Sequence, residues 1–273
     1  MTTPARPRRS QFRLTVVRTE RLTPHFARIH FSGAPADIYG NTGATDSYMK
    51  LYFSTNGRPV PLPVDLAAIR EEHGPEGLPV QRTYSIRSYD TAAETMAIDF
   101  VIHGDEGVAG PWAAAAQPGD ELVATSPGGA YAPAADAEAH LLVGDESALP
   151  AIAAALEAMP EGARGVALIE VDTADDELPL ENPAALDIRW LHRRGAGAGT
   201  TTLLVDAVTA LDWPGEDVHV FAHGERETMK QIRAITKERG VPRTRLSLSG
   251  YWAYGRTEDR FQAEKREPIG QID

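Results

Sequence analysis

The sequence predicts two domains in succession: a six-stranded antiparallel β-barrel, then an α/β domain with a mainly parallel, Rossmann-like sheet. As far as residue 126, short runs rich in β-branched and aromatic residues are separated by glycine and proline turns, which is typical of a closed barrel. From residue 140 onward, apolar runs alternate with helical patterns, which favours parallel strands joined by helices.

Six segments of the first half are predicted strands, because apolar and polar residues alternate along them. They are residues 12–18, 26–32, 48–54, 82–88, 96–104 and 121–126. One short helix is predicted over residues 111–116, PWAAAA. We expect the barrel domain to occupy residues 11–132, after a disordered basic tail over residues 1–10.

The alanine-rich stretch at residues 133–139 is a predicted linker. Residues 140–273 then form the predicted α/β domain, including a C-terminal segment. A chain of 273 residues is long enough for two domains of roughly 100–150 residues each.

The composition excludes several classes of protein. The formal net charge of −12 argues against nucleic acid as a partner, because nucleic-acid binding needs a basic surface. There is no cysteine, so disulfides, thiolate metal sites and cysteine nucleophiles are excluded together. No apolar run approaches the ~20 residues of a membrane span, and the N-terminus lacks the apolar region of a signal peptide. We therefore expect a cytoplasmic protein without a membrane partner.

The stretch RTYSIRSYD, residues 82–90, places two arginines around a tyrosine and a serine. On a strand, Arg82 and Tyr84 share one face with Ile86, while Thr83, Ser85 and Arg87 share the other. Arg82 can offer a planar fork to a phosphate, and Tyr84 can offer an aromatic face with a hydroxyl. The residues alone leave two interpretations open: a solvated edge strand, or a site for a large, flat, charged ligand.

The segment RTYSIR resembles the Arg-x-Tyr-Ser/Thr-x-Arg flavin signature of the ferredoxin reductase superfamily, in which a barrel precedes a nicotinamide-binding domain. A longer, ordered series resembles the siderophore-interacting proteins, which are FAD-dependent ferric-siderophore reductases. The series covers almost the whole chain and consists of DSYMKLYF, RTYSIRSYD, MAIDFVIHG, GVAGPWAAAAQPGDEL, SPGGAYAP, LLVGDESALPAIAAALE and SGYWAYGRTEDR.

The resemblance implies that the barrel binds FAD, with Arg82 at the pyrophosphate, Tyr84 against the flavin and Ser85 near its N5 atom. The backbone amides of residues 107–110 and the helix that follows would meet the pyrophosphate. Two of the implied cofactor contacts have an alternative interpretation. His103 could be a satisfied histidine at a strand end, and Trp252 could pack at the domain interface. The remaining implied cofactor contacts are Thr83, Asp99, Phe100, Val101, His103, Gly107, Ala109, Gly110 and Trp252.

The second domain lacks the G-x-G-x-x-G fingerprint of dinucleotide-binding folds. By position in the superfamily, the segment VGDES would bind NADH or NADPH instead, through Gly144, Asp145, Glu146 and Ser147. Gly144 would allow a tight turn, and Ser147 would cap the next helix or contact a phosphate. Glu170 and Asp172 end the second strand, where an acid can hold a ribose 2′-hydroxyl. That placement favours NADH, although the same acids could be solvated loop residues.

Lys50 interrupts an apolar strand, and the resemblance places it in a basic group that receives the anionic siderophore, together with Arg256. A strand lysine facing water is the alternative. Relatives often carry further arginines where this chain has small or uncharged residues, namely Gly129, Ala130, Ala253 and Tyr254. The basic pocket is therefore expected to be thin, in the sense that it has few cationic side chains. This favours a mixed-ligand siderophore over a highly anionic tri-catecholate.

The resulting functional hypothesis is a relay of electrons from NADH or NADPH through FAD to a ferric siderophore, with release of Fe²⁺. No general acid or base is assigned, because the protein's work is to position cofactor and substrate. The eight histidines are scattered along the sequence, so no metal site is expected. Two alternatives stay open: a general flavin reductase or ferredoxin-coupled oxidoreductase, and a non-catalytic siderophore-binding protein.

Overall fold

The structure is a computed structural model, and it describes residues 10–38, 43–104 and 107–272. The predicted tail over residues 1–10 lies outside these residues except for Ser10. The chain divides into two compact units, which are described separately. The barrel unit is drawn from Met1–Arg21, Ala27–Thr42 and Ser47–Gly129, and the α/β unit from Leu22–Phe26, Gly43–Asp46 and Ala130–Asp273.

The first unit is the predicted closed six-stranded barrel, with strand order β1-β2-β5-β4-β3-β6. Strands β1 and β6 pair antiparallel and close the sheet on itself. All six predicted strands are present, with ends shifted by up to five residues. Their bounds are β1 Gln11–Thr23, β2 Phe26–Ser32, β3 Tyr48–Phe53, β4 Val80–Asp90, β5 Thr95–Val101 and β6 Glu121–Thr125.

Two helices accompany the barrel strands. Helix α1, Leu66–His73, lies between β3 and β4 and was not expected from the sequence; the side chain of Asp65 caps its N-terminus. Helix α2, Ala109–Ala115, begins two residues before the predicted start. Pro111 is tolerated there because the first turn of a helix needs no N–H donor.

The barrel interior is filled by aromatic and aliphatic side chains that point inward from alternate strand positions. Trp112 of α2 lies among three fully buried phenylalanines, with ring centroids 6.3 Å from Phe31, 5.6 Å from Phe53 and 5.9 Å from Phe100. Aromatic pairs at these separations add to the stability that apolar burial provides. Helix α2 is therefore anchored to the barrel core.

The second unit contains a five-stranded parallel sheet in the order β11-β10-β7-β8-β9. Its strands are β7 Ala139–Gly144, β8 Gly165–Val171, β9 Asp187–His192, β10 Val218–Glu225 and β11 Leu246–Trp252. Its helices are α3 Leu149–Glu157, α4 Leu203–Ala210, α5 Arg226–Glu238 and α6 Glu258–Glu264.

The strand order fixes where this sheet can bind a ligand. The chain builds outward from β7 to β8 and β9, then returns to place β10 and β11 on the other side of β7. The switch point therefore lies between β7 and β10, and ligands of such sheets bind beyond the carboxyl ends of the strands there. Among the described residues, no helix is long and apolar enough to cross a membrane.

Candidate functional site

Strand β4 carries the RTYSIR segment between β3 and β5. Arg82 pairs with Leu51 and Tyr84 with Met49, and both partners are fully buried. The ring of Tyr84 lies 4.4 Å from that of Phe100, centroid to centroid. The predicted shared face of Arg82 and Tyr84 is thus present, and it is the face that packs towards the barrel core.

The opposite face of β4 lies beside Lys50. Thr83 pairs with Lys50 and Ser85 with Tyr48 on the neighbouring strand β3. The Nζ atom of Lys50 donates a hydrogen bond to Oε1 of Gln81 at 3.0 Å. Lys50 is half-buried, so it is held against this face by Gln81, a contact that the sequence did not indicate.

A β-bulge interrupts β4 at Arg87, where the register against β5 shifts between Ile86 and Ser88. The neighbours Ser85 and Ile86 are both buried, although period-two alternation would bury only one of them. Alternation therefore does not fix the face of Arg87, and its grouping with Thr83 and Ser85 stays a prediction. Bulges of this kind commonly redirect side chains next to functional sites.

Strand β5 contributes three of the predicted cofactor residues, and the structure gives them different surroundings. Asp99 is buried and accepts two hydrogen bonds from Arg28, at 2.6 Å from Nε and 2.8 Å from Nη2. Phe100 is fully buried in the barrel core, and Val101 is half-buried at the end of the strand. The side chains of Asp99 and Phe100 are therefore engaged within the barrel.

His103 lies two residues beyond the end of β5 and is exposed, and its contact with the cofactor stays a prediction. Gly107 follows with φ of +80°, a conformation that favours glycine. Ala109 and Gly110 belong to the first turn of α2, and no side-chain hydrogen bond caps this helix at Val108. Gly110 is thus helical rather than part of the predicted loop.

Gly144 ends β7, and it is required there for close packing rather than for a tight turn. A Cβ atom at this position would lie 2.6 Å from the Cβ of Ala148 and 2.9 Å from the carbonyl oxygen of His223. Its φ is not positive, so no positive-φ turn is centred on Gly144, although a turn follows directly at residues 145–148. The glycine instead lets Ala148 and the carbonyl group of His223 on β10 lie close to the end of β7.

The carboxylate of Asp145 joins the carboxyl ends of three strands. Oδ1 accepts hydrogen bonds from the backbone N–H and the hydroxyl of Ser147. Oδ2 accepts from the backbone N–H of Glu225 at 2.9 Å and from Nε1 of Trp252 at 2.8 Å. Asp145 is buried, and each oxygen is engaged twice, so its side chain ties β7, β10 and β11 together.

Ser147 does not cap helix α3, contrary to one of its two predicted roles. The helix begins at Leu149 with Ala148 in the N-cap position and no side-chain capping bond. The Ser147 hydroxyl instead donates to Asp145. Whether this residue also meets a phosphate stays a prediction.

Glu146 and Glu170 share one arginine. Arg193 donates to both oxygens of Glu146, at 2.6 and 2.7 Å, and lies 3.6 Å from Oε1 of Glu170. Burial raises the pKa of both carboxyls, against the opposing effect of Arg193. Glu170 also accepts from the hydroxyl of Thr201 at 2.9 Å. Glu170 is therefore buried and bonded within the protein rather than a solvated loop residue, and the preference for NADH stays a prediction.

Trp252 belongs to the α/β unit and is half-buried at the end of β11. Besides its bond to Asp145, its ring lies over Gly199, where a Cβ atom would come within 2.8 Å of the indole Cη2. Nearby, Ala253 is buried and Tyr254 is 60% exposed. Arg256 donates from Nε to Glu264 at 2.8 Å, so this predicted substrate residue is held by an acid.

Three further residues form a cluster that the sequence did not predict: His25, Asp172 and Asp176 offer ligand atoms within 4.8 Å of one another. Both oxygens of the fully buried Asp176 lie 2.9 Å from Nδ1 of His25, and Oδ1 also accepts from the hydroxyl of Thr23. Asp172 accepts from the backbone N–H of Gly195. Each of the three side chains is therefore engaged by hydrogen bonds within the protein.

One sequence signal for the site was missed. In the α/β half of the chain, an apolar strand followed by glycine and an acid occurs twice, at Gly144–Asp145 and at Gly224–Glu225. The second copy holds φ of +153° at Gly224, where a Cβ would lie 2.8 Å from Oδ2 of Asp145. Glu225 is buried and its side chain accepts from the backbone N–H of Thr228 and of Tyr254. The repeated pattern marks the two strand ends at the switch point.

Comparisons with known proteins agree with this architecture. The family model described as siderophore-interacting FAD-binding domain matches residues 15–131, and the one described as siderophore-interacting protein matches residues 137–255. An uncharacterized protein of Mycobacterium tuberculosis (strain H37Rv) is 44% identical, over 92% of this chain and 93% of the relative.

Two relatives have names that state an activity. Ferric vibriobactin reductase ViuB of Vibrio cholerae is 31% identical, over 92% of this chain and 93% of the relative. NADPH-dependent ferric-chelate reductase of Escherichia coli is 34% identical, over 88% of this chain and 91% of the relative.

Solved structures extend the similarity to three dimensions. The siderophore-interacting protein SipS of Aeromonas hydrophila matches with a TM-score of 0.80 and 28% identity, over 96% of this chain and 99% of that chain. The ferredoxin reductase in carbazole 1,9a-dioxygenase matches with a TM-score of 0.64 at 15% identity, over 91% of this chain and 70% of that chain. The second likeness concerns the fold alone.

His223 yields a prediction about pH and stability. Its side chain is buried on β10, stacked on Phe221 with centroids 4.0 Å apart, and burial lowers its pKa to about 3. Between about pH 6.5 and pH 3 the unfolded chain binds a proton that the folded chain does not, so the free energy of unfolding falls as the pH falls. The slope that this group contributes is at most ~1.4 kcal/mol per pH unit.

We expect His223→Gln to flatten that loss, measured by urea denaturation at a series of pH values from 7 down to 4. Burial also lowers the pKa of His140, to about 4, so part of the slope will remain. His73→Gln, on the surface helix α1, is the matched control. A variant profile parallel to the wild type over this range would contradict the prediction.

Proposed function

The chain belongs to the siderophore-interacting protein family, and we propose that it is an FAD-dependent ferric-siderophore reductase. The observation that carries the proposal is strand β4, which sets Arg82 and Tyr84 on one face and Ser85 on the other, with Lys50 alongside. Support also comes from relatives named as ferric reductases that match more than nine-tenths of their own length. The barrel unit would hold FAD, and the α/β unit would hold the nicotinamide coenzyme.

The residues present fit a flavin with a pyrophosphate. Arg82 offers a planar cation, and Tyr84 offers an aromatic ring that the Phe100 contact holds in place. The first turn of α2 has no side-chain cap at Val108, so its N–H groups can meet an anion. Gly107, at φ of +80°, lets the backbone turn into that helix.

When bound, FAD supplies the ability to take two electrons from a nicotinamide coenzyme and to pass them on singly to iron. The chain's own work is binding and orientation. The hydroxyl of Ser85 is buried on β4, where it can donate to a ring nitrogen of the flavin. Arg82 compensates the negative charge of the pyrophosphate, and the buried aromatic core behind Tyr84 excludes water from that side.

In the α/β unit the proposed coenzyme site lies at the carboxyl ends of β7 and β10. Because the side chains of Asp145 and Glu146 are engaged internally, we assign the role of residues 144–147 to their backbone. The E. coli relative is named as NADPH-dependent, and either NADPH or NADH is proposed here. Since the reaction needs such a coenzyme, we place it in the cytoplasm.

The substrate is an already chelated Fe³⁺. Siderophores bind iron through hard oxygen ligands, which hold Fe³⁺ better than Fe²⁺, so reduction loosens the complex and releases the metal. Lys50 and Arg256 are the proposed cationic contacts. Ala253 is buried and Tyr254 is uncharged, which supports a thin basic pocket and a mixed-ligand siderophore of low charge.

Arg82→Ala is expected to lower the FAD content of the purified protein, because the pyrophosphate loses its bidentate cation. A lost charge-assisted pair of this kind weakens binding by roughly ten-fold or more. The ratio of flavin absorbance near 450 nm to protein absorbance measures the effect. Arg58→Ala, at an exposed arginine of the same unit, should keep the wild-type ratio. Normal FAD content in the Arg82 variant would defeat the assignment.

The relay itself is tested by anaerobic mixing of the yellow protein with NADH and, separately, with NADPH. We expect one of them to bleach the flavin, and a ferric siderophore added afterwards to restore the colour while an Fe²⁺ trap develops its own absorbance. A colourless preparation that binds ferric siderophore would indicate a binding protein. Bleaching without reduction of the siderophore would indicate a general flavin reductase.

The thin basic pocket predicts a dependence on substrate charge. The ratio kcat/KM should be higher for a mixed-ligand ferric siderophore of low charge than for a ferric tri-catecholate, measured with the same Fe²⁺ trap. Equal values for substrates of different charge would count against this part of the proposal and leave the reductase activity itself intact.

A further inference from the structure

Three arginines converge on one carboxylate at the end of helix α6. Glu264 accepts from Nη1 of Arg226 at 2.6 Å, from Nε of Arg256 at 2.8 Å and from Nε of Arg260 at 2.9 Å. Oε2 serves Arg226, and Oε1 is shared by Arg256 and Arg260. Oε2 therefore binds one buried arginine, whereas Oε1 binds two more exposed arginines.

The buried half of this cluster is rigid. The side chains of Arg226 and Glu264 are only 4% and 8% exposed, and Arg226 also donates from Nε to Glu227 at 2.8 Å. The hydrogen bond from Arg226 is the largest of several contacts that hold the pKa of Glu264 down to about 2. Glu264 is thus an ionised acceptor at neutral pH, and its hydrogen bond with the buried Arg226 holds it in position.

Arg256 is oriented by this acceptor and by one carbonyl. Its Nε donates to Glu264 and its Nη1 to the carbonyl oxygen of Gly255 at 3.3 Å. A guanidinium has five N–H groups, and these two bonds use two of them. The side chain is 26% exposed. Arg256 can therefore be held in one orientation by Glu264 and still present N–H groups to a ligand.

We propose that Glu264 is a positioning residue that fixes Arg256 for an anionic ferric siderophore. The inference rests on the proposed function and adds to it a residue that would never touch the substrate. A positioned guanidinium loses less side-chain entropy on binding than a mobile one. Glu264 would therefore improve substrate binding although it carries the same sign of charge as the substrate.

Because Glu264 and the substrate are both negatively charged, positioning and Coulomb attraction predict opposite effects of removing the charge of Glu264. The three arginines and Lys230, which shares Glu227, carry four positive charges against the two negative charges of Glu264 and Glu227, which leaves the cluster positive by two. Removing the charge of Glu264 makes the cluster more positive, so Coulomb attraction alone predicts tighter binding of an anion. Positioning predicts the opposite, because Arg256 loses the acceptor that orients it.

The experiment compares the full-length, FAD-loaded Glu264→Gln variant with the wild type, using a ferric tri-catecholate as anionic substrate and an uncharged ferric tri-hydroxamate as reference. We expect KM for the anionic substrate to rise by roughly three- to ten-fold, less than the loss of a whole charged hydrogen bond, because Arg256 keeps its charge and loses only its orientation. The reference substrate's KM and the rate of flavin bleaching by the nicotinamide coenzyme should not change. Glu227→Gln is the matched control, because it removes an acid from the same Arg226 and leaves Arg256 bound.

A double-mutant cycle separates positioning from general loosening of the fold. If Glu264 acts through Arg256, Glu264→Gln should have no further effect on KM in an Arg256→Gln background. Should Glu264→Gln not fold, Glu264→Asp keeps the charge that Arg226 needs and withdraws the carboxylate by one methylene, and the same rise is expected. An unchanged or lower KM for the anionic substrate, or fully additive effects in the cycle, would overturn the inference. Absence of siderophore reduction in the wild type would instead defeat the proposed function.

Discussion

The carboxylate of Asp145 is the contact on which the geometry of the parallel sheet's functional edge depends. It receives four hydrogen bonds, from Ser147, from the backbone of Glu225 and from the indole of Trp252. A buried carboxylate is stable only when such donors replace its hydration. Because those donors come from three strand ends, satisfying one charge also fixes the relative position of β7, β10 and β11.

Two glycines near this carboxylate are explained by close approach. A Cβ at Gly224 would lie 2.8 Å from Oδ2 of Asp145, and one at Gly144 would lie 2.6 Å from the Cβ of Ala148 and 2.9 Å from the carbonyl oxygen of His223. The glycines thus serve close approach between strands and a side chain, whereas dinucleotide-binding loops use glycine for close approach to a phosphate. Under the proposed function, the backbone that Asp145 and Glu225 hold in place would take the role of such a phosphate-binding loop.

Some arginines of this acidic chain are paired with buried acids. Arg28 is paired with Asp99, and Arg193 with Glu146, through two hydrogen bonds each. Such pairing satisfies a guanidinium so fully that it adds little attraction for an anionic ligand. Arg256 differs, because it shares a single carboxylate with two other arginines. Sharing allows one arginine to be oriented without being neutralised, which is what recognition of an anion requires.

The sequence by itself determined the two units, the six barrel strands and the alternating faces around Arg82 and Tyr84, because these depend on local periodicity and turn residues. Only the tertiary structure decided the bulge at Arg87, the packing role of Gly144 and the partner of Arg256. Each of these depends on atoms that are distant in the sequence. Periodicity specifies which way a side chain points along its own strand, but hydrogen-bond partners and close contacts are specified by the neighbouring elements that folding brings next to it.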